Sequence, residues 1–268
     1  MSYKNLEFEA KNGLATLKLN RPNRLNALSP GLLDELHEVI ANVAHDNDIK
    51  ALLITGNGRG FCAGADISGP HATTLEELNV QGEGSYNGMT KRFNPIIQNI
   101  HEMGKPVIAA VNGVAAGYGV SLALACDVVF AAESASFIQV FVPQLGIIPD
   151  GGSTWLLPRV ITTARAMGMF LSGDKIRAKQ AEEWGMIWKC LPNEEYLEAA
   201  HAFATKMANG PTLGIRSLKM AMNQSHENSL QRQLQLEATI QKICCASEDF
   251  AEGGRAFAEK RKPEFIGK

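Results

Sequence analysis

The chain has 268 residues, enough for one large domain or two small ones with a sizeable core, and its 45% hydrophobic and 20% charged residues are ordinary for a soluble globular protein. A net charge of -2 gives no electrostatic case for nucleic acid or an acidic membrane surface, and no apolar run reaches the roughly 18 residues of a membrane helix. Five cysteines (Cys62, Cys126, Cys190, Cys244, Cys245), odd in number and without CxxC spacing, point to a reducing compartment; the opening MSYKNLEFEAK has no apolar h-region and no Arg enrichment, so a cytoplasmic protein is expected.

Leu6, Phe8 and Ala10 alternate with polar residues, Asn12-Gly13 supplies a tight turn, and Ala15, Leu17 and Leu19 resume the alternation. This predicts a β-hairpin over 5–19. Ser29-Pro30 is a helix start, a capping hydroxyl followed by a proline whose missing N–H costs nothing, and Leu33, Leu36, Ile40 and Val43 space out one face. KALLIT at 50–55 predicts a short buried strand running into a glycine-rich turn that ends Phe61-Cys-Ala-Gly64-Ala65-Asp66. Over 71–90 the sequence is less definite: TLEELNV reads as a helical turn, while Gly82, Gly84 and Gly88 predict a mobile segment at 80–88. A helix over 89–103 follows, then a strand at 107–111, the turn Gly117-Tyr118-Gly119, a helix over 120–125 and a strand over 127–131. From Ser153 onward the pattern is helical apart from a short strand at 188–191. Short apolar strands alternating with helices predict an α/β fold with buried strands. A more polar, Gln-rich composition beyond about residue 205 divides the chain into a core, 1–204, and a C-terminal helical region, 205–268, expected to pack on other chains.

Two features carry chemistry. The 117–119 glycine turn lets backbone N–H groups face a ligand, and the Gly64-Ala65 turn supplies a second such donor; two of them converging on one oxygen stabilise a developing oxyanion by about 2.7–4 kcal/mol each. Asp150 is a lone carboxylate among Leu145, Ile147, Ile148, Trp155, Leu156 and Leu157, surroundings that raise its pKa toward the range of a general base. Each has a bland reading as well. Pro-Asp-Gly-Gly is good turn chemistry with Asp as a helix cap, Asp66 and Asp127 read as turn or cap residues, and the 117–119 turn closes a helix–strand contact. Other chemistries lack support. Gly56-Asn-Gly58-Arg-Gly60 has the wrong spacing for a dinucleotide loop, Ser121 lacks the flanking glycine of a nucleophile elbow, and the histidines at 37, 45, 71, 101, 201 and 226 are scattered, against hydrolase triads and zinc sites.

Taken together, Arg21-Pro22, Asn26-Ala27-Leu28, Phe61-Cys-Ala-Gly64-Ala65-Asp66, Pro106-Val-Ile-Ala-Ala-Val-Asn-Gly113, Leu122-Ala-Leu-Ala-Cys-Asp127, Ile148-Pro149, Gly152 and Phe257-Ala-Glu-Lys260-Arg-Lys262-Pro resemble the crotonase (enoyl-CoA hydratase/isomerase) superfamily along nearly the whole chain. The resemblance implies a spiral of ββα units with a helical C-terminal trimerisation region, a homo-trimer or a hexamer built as a dimer of trimers, and an acyl-CoA thioester substrate. It implies no metal or redox cofactor, coenzyme A entering as part of the substrate. By the same resemblance Ala65 and Tyr118 are the backbone N–H donors of an oxyanion hole. Arg24, Asn26, Ala27, Leu28, Ala63, Gly64, Asp66 and Ile67 line the CoA path, Gly117, Ser121 and Val142 are further substrate- or CoA-binding residues, and Phe257 and Lys260 approach CoA, that of a neighbouring subunit.

Departures from the family pattern are informative. Hydratases of this family carry two glutamates that handle water between them; the matching positions, six before Asp127 and four before Gly146, hold Ser121 and Val142. Asp150, two residues before Gly152, together with Trp155-Leu-Leu-Pro-Arg159, is similar to the PaaG-type isomerases of phenylacetate catabolism, which also isomerise Δ3-enoyl-CoA. The resemblance thus implies an isomerase using Asp150 alone. A hydratase with another acid, a dehalogenase, hydrolase or lyase on the same oxyanion hole, and a non-catalytic CoA- or RNA-binding scaffold stay open, the last opposed by dispersed Lys and Arg in an acidic balance.

Overall fold

The computed structural model describes residues 3–69 and 72–267. The predicted hairpin forms as β1 (Leu6–Lys11) and β2 (Leu14–Leu19), antiparallel, with Leu6 opposite Leu19 and Ala10 opposite Ala15. Ser29 caps α1 (Pro30–His45), its hydroxyl accepting from Leu32 N–H, and Leu32, Leu33, Leu36, Val39, Ile40 and Val43 are buried along one side. Burying each of these side chains contributes about 1.5–3 kcal/mol.

Beyond α1 the chain repeats one unit three times, a longer strand followed by a three-residue strand. The pairs are β3 (Ala51–Gly56) with β4 (Gly60–Cys62), β5 (Val107–Val111) with β6 (Val114–Ala116), and β7 (Val128–Ala132) with β8 (Ser136–Ile138). Between the first two pairs run α2 (Leu75–Gly88) and α3 (Asn94–Glu102); α4 (Tyr118–Leu124) follows β6, and α5 (Ser153–Ser172) follows β8 after a long loop. Then come β9 (Ile176–Arg177), α6 (Ala178–Glu183), β10 (Lys189–Leu191), α7 (Tyr196–Ala208), α8 (Thr212–Ser225), α9 (Leu230–Cys244) and α10 (Glu248–Glu259). The longer strands form a six-stranded sheet, β1-β2-β3-β5-β7-β10, parallel except for the hairpin, and the short ones a second sheet, β4-β6-β8-β9. This is the expected α/β crotonase architecture.

β5 is buried along its whole length and β3 along all but its last residue, as apolar runs without alternation require. One face meets α1 and α3; on the other, α7 presents Ala200, Ala204 and Ala208, small residues that let the helix lie close. Residues 204 and 205 both fall inside α7, and Lys219 on α8 pairs with Asp127 at 2.8 Å, so the C-terminal helices are tied to the core.

The segment read as mobile is instead helical. In α2 the Thr74 hydroxyl accepts from Glu77 N–H while the Glu77 carboxylate accepts from Thr74 N–H, a reciprocal cap that offsets the cost of the glycines. Gly82, Gly84 and Gly88 face open space, so none is required by packing. The part of that reading that touches His71 lies outside the described residues. The expected helix over 89–103 is real but begins as a π-turn, Met89–Phe93, before α3. The second sheet has no counterpart in the sequence reading, because three-residue strands carry no measurable period.

Candidate active site

β4, β6 and β8 are parallel neighbours, so the turns that leave them emerge at one edge of the second sheet. The candidate site is built from the first two of these turns and from the turn at 149–152, which ends the long loop leaving β8.

The first is Ala63-Gly64-Ala65. Gly64 has φ +89°, and a β-carbon there would lie 2.9 Å from Ala116 O and 3.5 Å from Tyr118 N, so the first turn rests directly on the second. Ala65 is bridged to Leu28 by Leu28 N–H to Gly64 O at 2.8 Å and Asp66 N–H to Leu28 O at 3.1 Å. In such a parallel bridge the N–H of Ala65 itself is turned away from Leu28.

The second turn is Gly117-Tyr118. Gly117 (φ +53°, ψ -121°) donates to Ile138 O at 2.9 Å, and Tyr118 opens α4, where a first-turn N–H has no intrahelical acceptor. The Tyr118 side chain is buried, its hydroxyl donating to Phe93 O at 2.7 Å. Anchored at its tip, the residue holds its amide in a fixed direction.

The third turn carries Asp150. Its carboxyl is pushed up to about 6 by burial, and Oδ1 is buried without a hydrogen-bond partner among the described residues. The raised pKa agrees with the sequence expectation, but its cause differs. Leu145, Ile147, Ile148 (74% exposed) and Trp155 all lie on the surface, and only Leu156 and Leu157 are buried. Asp150 is half-buried because the chain folds back onto α4: a β-carbon at Gly151 would come within 2.8 Å of both Ser121 Cβ and Tyr118 Cδ2.

The remaining predicted residues fall into three groups. Segments 24–28 and 63–67 are brought together by the Leu28–Ala65 bridge and by Arg21, whose guanidinium pairs with Asp66 at 3.0 Å and also donates to Ala27 O. The Ser68 hydroxyl and Arg21 hold the Asp66 carboxyl below its ordinary range. Asn26 is fully buried, donating to Gly60 O at 2.7 Å and accepting from Arg21 N–H at 2.8 Å, so its side chain fixes this loop rather than facing outward. Arg24 and Ile67 are exposed beside it. Val142 lies exposed in a π-turn, Phe141–Leu145, whereas Ser121 is fully buried, its hydroxyl donating to the Asp150 carbonyl. Phe257, 88% exposed, and Lys260, at φ +53° on the end of α10, are on the protein surface of the single chain. Two residues that the sequence reading passed over belong to the site, Gln139 directly after β8 and Ser153 opening α5. Only the order strand, turn, helix pointed to them.

A family model described as enoyl-CoA hydratase/isomerase matches residues 9–268. The chain belongs to the enoyl-CoA hydratase/isomerase family. It is 44% identical to a 1,2-epoxyphenylacetyl-CoA isomerase of Escherichia coli (strain K12) over 96% of each chain, and 40% identical to a probable enoyl-CoA hydratase of Rhodobacter capsulatus over 100% of each. A 2,3-dehydroadipyl-CoA hydratase of Escherichia coli (strain K12) is 39% identical over 94% of each. Among solved structures, an enoyl-CoA hydratase/isomerase from Mycobacterium abscessus superposes with a TM-score of 0.91 at 29% identity, over 98% of this chain and 100% of the other. Members of this family, by their names, process acyl-CoA thioesters. Among the described residues no three His, Cys, Asp or Glu side chains gather as a metal site, and no helix is long and apolar enough to cross a membrane.

Proposed function

We propose that this protein shifts a double bond in an acyl-CoA thioester by proton transfer through Asp150 alone. The observation that carries the reading is the state of the third turn: a half-buried carboxyl, raised to about 6 and with Oδ1 buried and lacking a partner, on a chain packed against Tyr118. Ala65 and Tyr118 N–H groups, on two turns in contact, polarise the thioester carbonyl. Asp150, ionised, removes the activated proton next to that carbonyl; electrons move into the carbonyl as an enolate forms, and the protonated Asp150 returns its proton at the far end of the conjugated system. No net proton is gained or lost. General acid–base help of this kind contributes about 10²–10⁴-fold.

Hydration needs a base for water and an acid for carbon. Ser121 and Val142 supply neither. A hydratase reading draws on the names of the relatives at 40% and 39% identity. The substrate class extends from linear 3-enoyl-CoA to ring-modified acyl-CoA, the latter supported by the 44% identical relative. Coenzyme A follows segments 24–28 and 63–67, and Phe257 and Lys260 serve the site of an adjacent subunit in a trimer or a dimer of trimers, a cytoplasmic assembly with no further cofactor. Exposed Leu218, Leu230, Leu234, Ile243 and Phe250 on the C-terminal helices are suited to that contact.

The test is an isomerase assay on a 3-enoyl-CoA, with crotonyl-CoA hydration alongside and Asp150→Ala as control. Isomerisation abolished in the variant, without hydration, is expected. Hydration that survives the variant sinks the reading.

A further inference from the structure

Ser121, Gln139 and Ser153 are buried, and their side chains form a connected polar string beside Asp150. Gln139 Nε2 donates to Ser153 Oγ at 3.1 Å, the Ser153 and Ser121 hydroxyls are 2.6 Å apart, and Ser121 Oγ donates to the Asp150 carbonyl at 3.0 Å. Ser153 N–H reaches the same carbonyl at 3.1 Å.

Each hydroxyl has one proton to give. With Ser121 donating to the Asp150 carbonyl, Ser153 donates to Ser121 and accepts from Gln139 Nε2, which leaves Gln139 Oε1 buried without a partner among the described residues. With the Gln139 amide turned over, Ser153 donates to its oxygen and Ser121 to Ser153, while the Asp150 carbonyl keeps the Ser153 N–H. In both arrangements the string links Gln139 through Ser153 and Ser121 to the Asp150 loop.

We propose that this chain holds the Asp150 peptide against the first turn of α4, making Ser121, Ser153 and Gln139 positioning residues for the proton-transferring carboxylate. The inference rests on the reading of Asp150 as the base. Ser121 stands one helical turn after Tyr118, the proposed oxyanion donor, so the same chain sets the spacing between donor and base. Gly151 (φ +57°) and Gly152 (φ +77°) leave this loop little stiffness of its own, and the contacts of Ser121 and Ser153 with the Asp150 carbonyl supply it. Oδ1 of the carboxyl is thereby kept buried. The titratable groups on the facing elements, the Tyr118 hydroxyl and the Cys62 thiol, are both pushed up by burial and stay uncharged while Asp150 titrates.

Titration of ¹³C-labelled aspartate carboxyls by NMR reads the effect directly, with the Asp150 signal assigned by its loss in Asp150→Asn. The wild-type midpoint is expected near 6. In Ser121→Ala it moves down by about half a unit or more as water reaches Oδ1, and kcat falls about 10–100-fold with KM within about threefold. Ser153→Ala breaks the same chain one link further along and changes both in the same direction. The double variant is no more than about twofold worse than Ser121→Ala, because the chain acts as a unit. A midpoint that moves in neither single variant overturns the proposal, whatever the activity. Activity that persists in Asp150→Ala removes the base reading instead, and the titration still decides whether the chain holds the loop.

Discussion

The Tyr118 hydroxyl donates to the Phe93 carbonyl at 2.7 Å, and the two rings meet edge to face with centroids 4.9 Å apart. The residue proposed to offer its amide to the substrate thus spends its side chain on the π-turn before α3. Tyr118→Phe keeps the amide and removes one hydrogen bond to the carbonyl of Phe93; as the residue before α3, Phe93 keeps its helical N–H partner there, so the cost is about 0.5–1.5 kcal/mol. The expected outcome is a melting temperature lower by a few degrees with kcat within about tenfold of wild type. A loss of about 10³-fold would show that the hydroxyl, not the backbone, does the chemistry.

Asp150 must be ionised to take a proton, so kcat/KM falls about tenfold per pH unit below about 6 and is flat above it until another group titrates. Stability has the opposite sign. The folded-state pKa lies above the unfolded value near 3.8, so the native state binds the extra proton between these values. Burying the charge therefore destabilises the protein above about pH 6, and that cost disappears as pH falls through 6 toward 4. Asp150→Asn is expected to melt higher than wild type at pH 7.5, to lose that advantage by about pH 4, and to lose about 10²–10⁴-fold in kcat. Calorimetry at the two pH values, with kinetics at the higher, checks all three.

The proposed donors and base could be picked out in the sequence because backbone N–H groups at a glycine turn and an isolated acid have recognisable chemistry. The hairpin, α1 and β5 were legible because their periods or apolar runs are long. The second sheet was not: Gly60–Cys62, Val114–Ala116 and Ser136–Ile138 are too short to show any pattern, yet their parallel pairing is what gathers the turns that leave them. The Gln139–Ser153–Ser121 string escaped for another reason, since hydrogen-bonded partners 14 and 32 residues apart leave no local trace. Helix α2 was misread because three glycines outweighed the Thr74–Glu77 cap, which needs only two residues to stabilise the first turn.

Asp127 and Lys219 join the first long crossover to the C-terminal helices. Lys219 Nζ also donates to Ile100 O at 2.8 Å and Lys105 O at 3.2 Å, while Asp127 accepts from Val107 N–H at 2.7 Å. Burial raises the Asp127 carboxyl and the Lys219 charge holds it down. Lys219→Met removes the compensating charge and, with the Asp127 side chain 29% exposed, is expected to destabilise by about 1–2 kcal/mol at pH 7. The folded-state pKa of Asp127 then rises further, so the deficit is largest above it and shrinks as pH falls and the acid protonates. Denaturant titration at pH 7.5 and pH 4.5 tests this; an equal deficit at both would mean that lost packing, not the unpaired carboxylate, is the cause.

Gly64 is the residue on which the first two turns meet. Its φ of +89° is strained for any L side chain, and a β-carbon would press on Ala116 O at 2.9 Å. Gly64→Ala therefore has two consequences from one methyl group: it pushes the 116–118 turn away from Ala65 and disturbs the relative aim of both amides. Loss of one oxyanion donor costs about 10²–10³-fold in kcat, and a loss of this size is expected here together with a lower melting temperature. Gly82→Ala is the control. It stands in α2 facing open space, where alanine is favoured over glycine by up to about 1 kcal/mol, so the variant should melt at or above wild type. If Gly64→Ala loses stability yet keeps kcat within about threefold, the contact between the turns is architectural and the two amides do not form the oxyanion site.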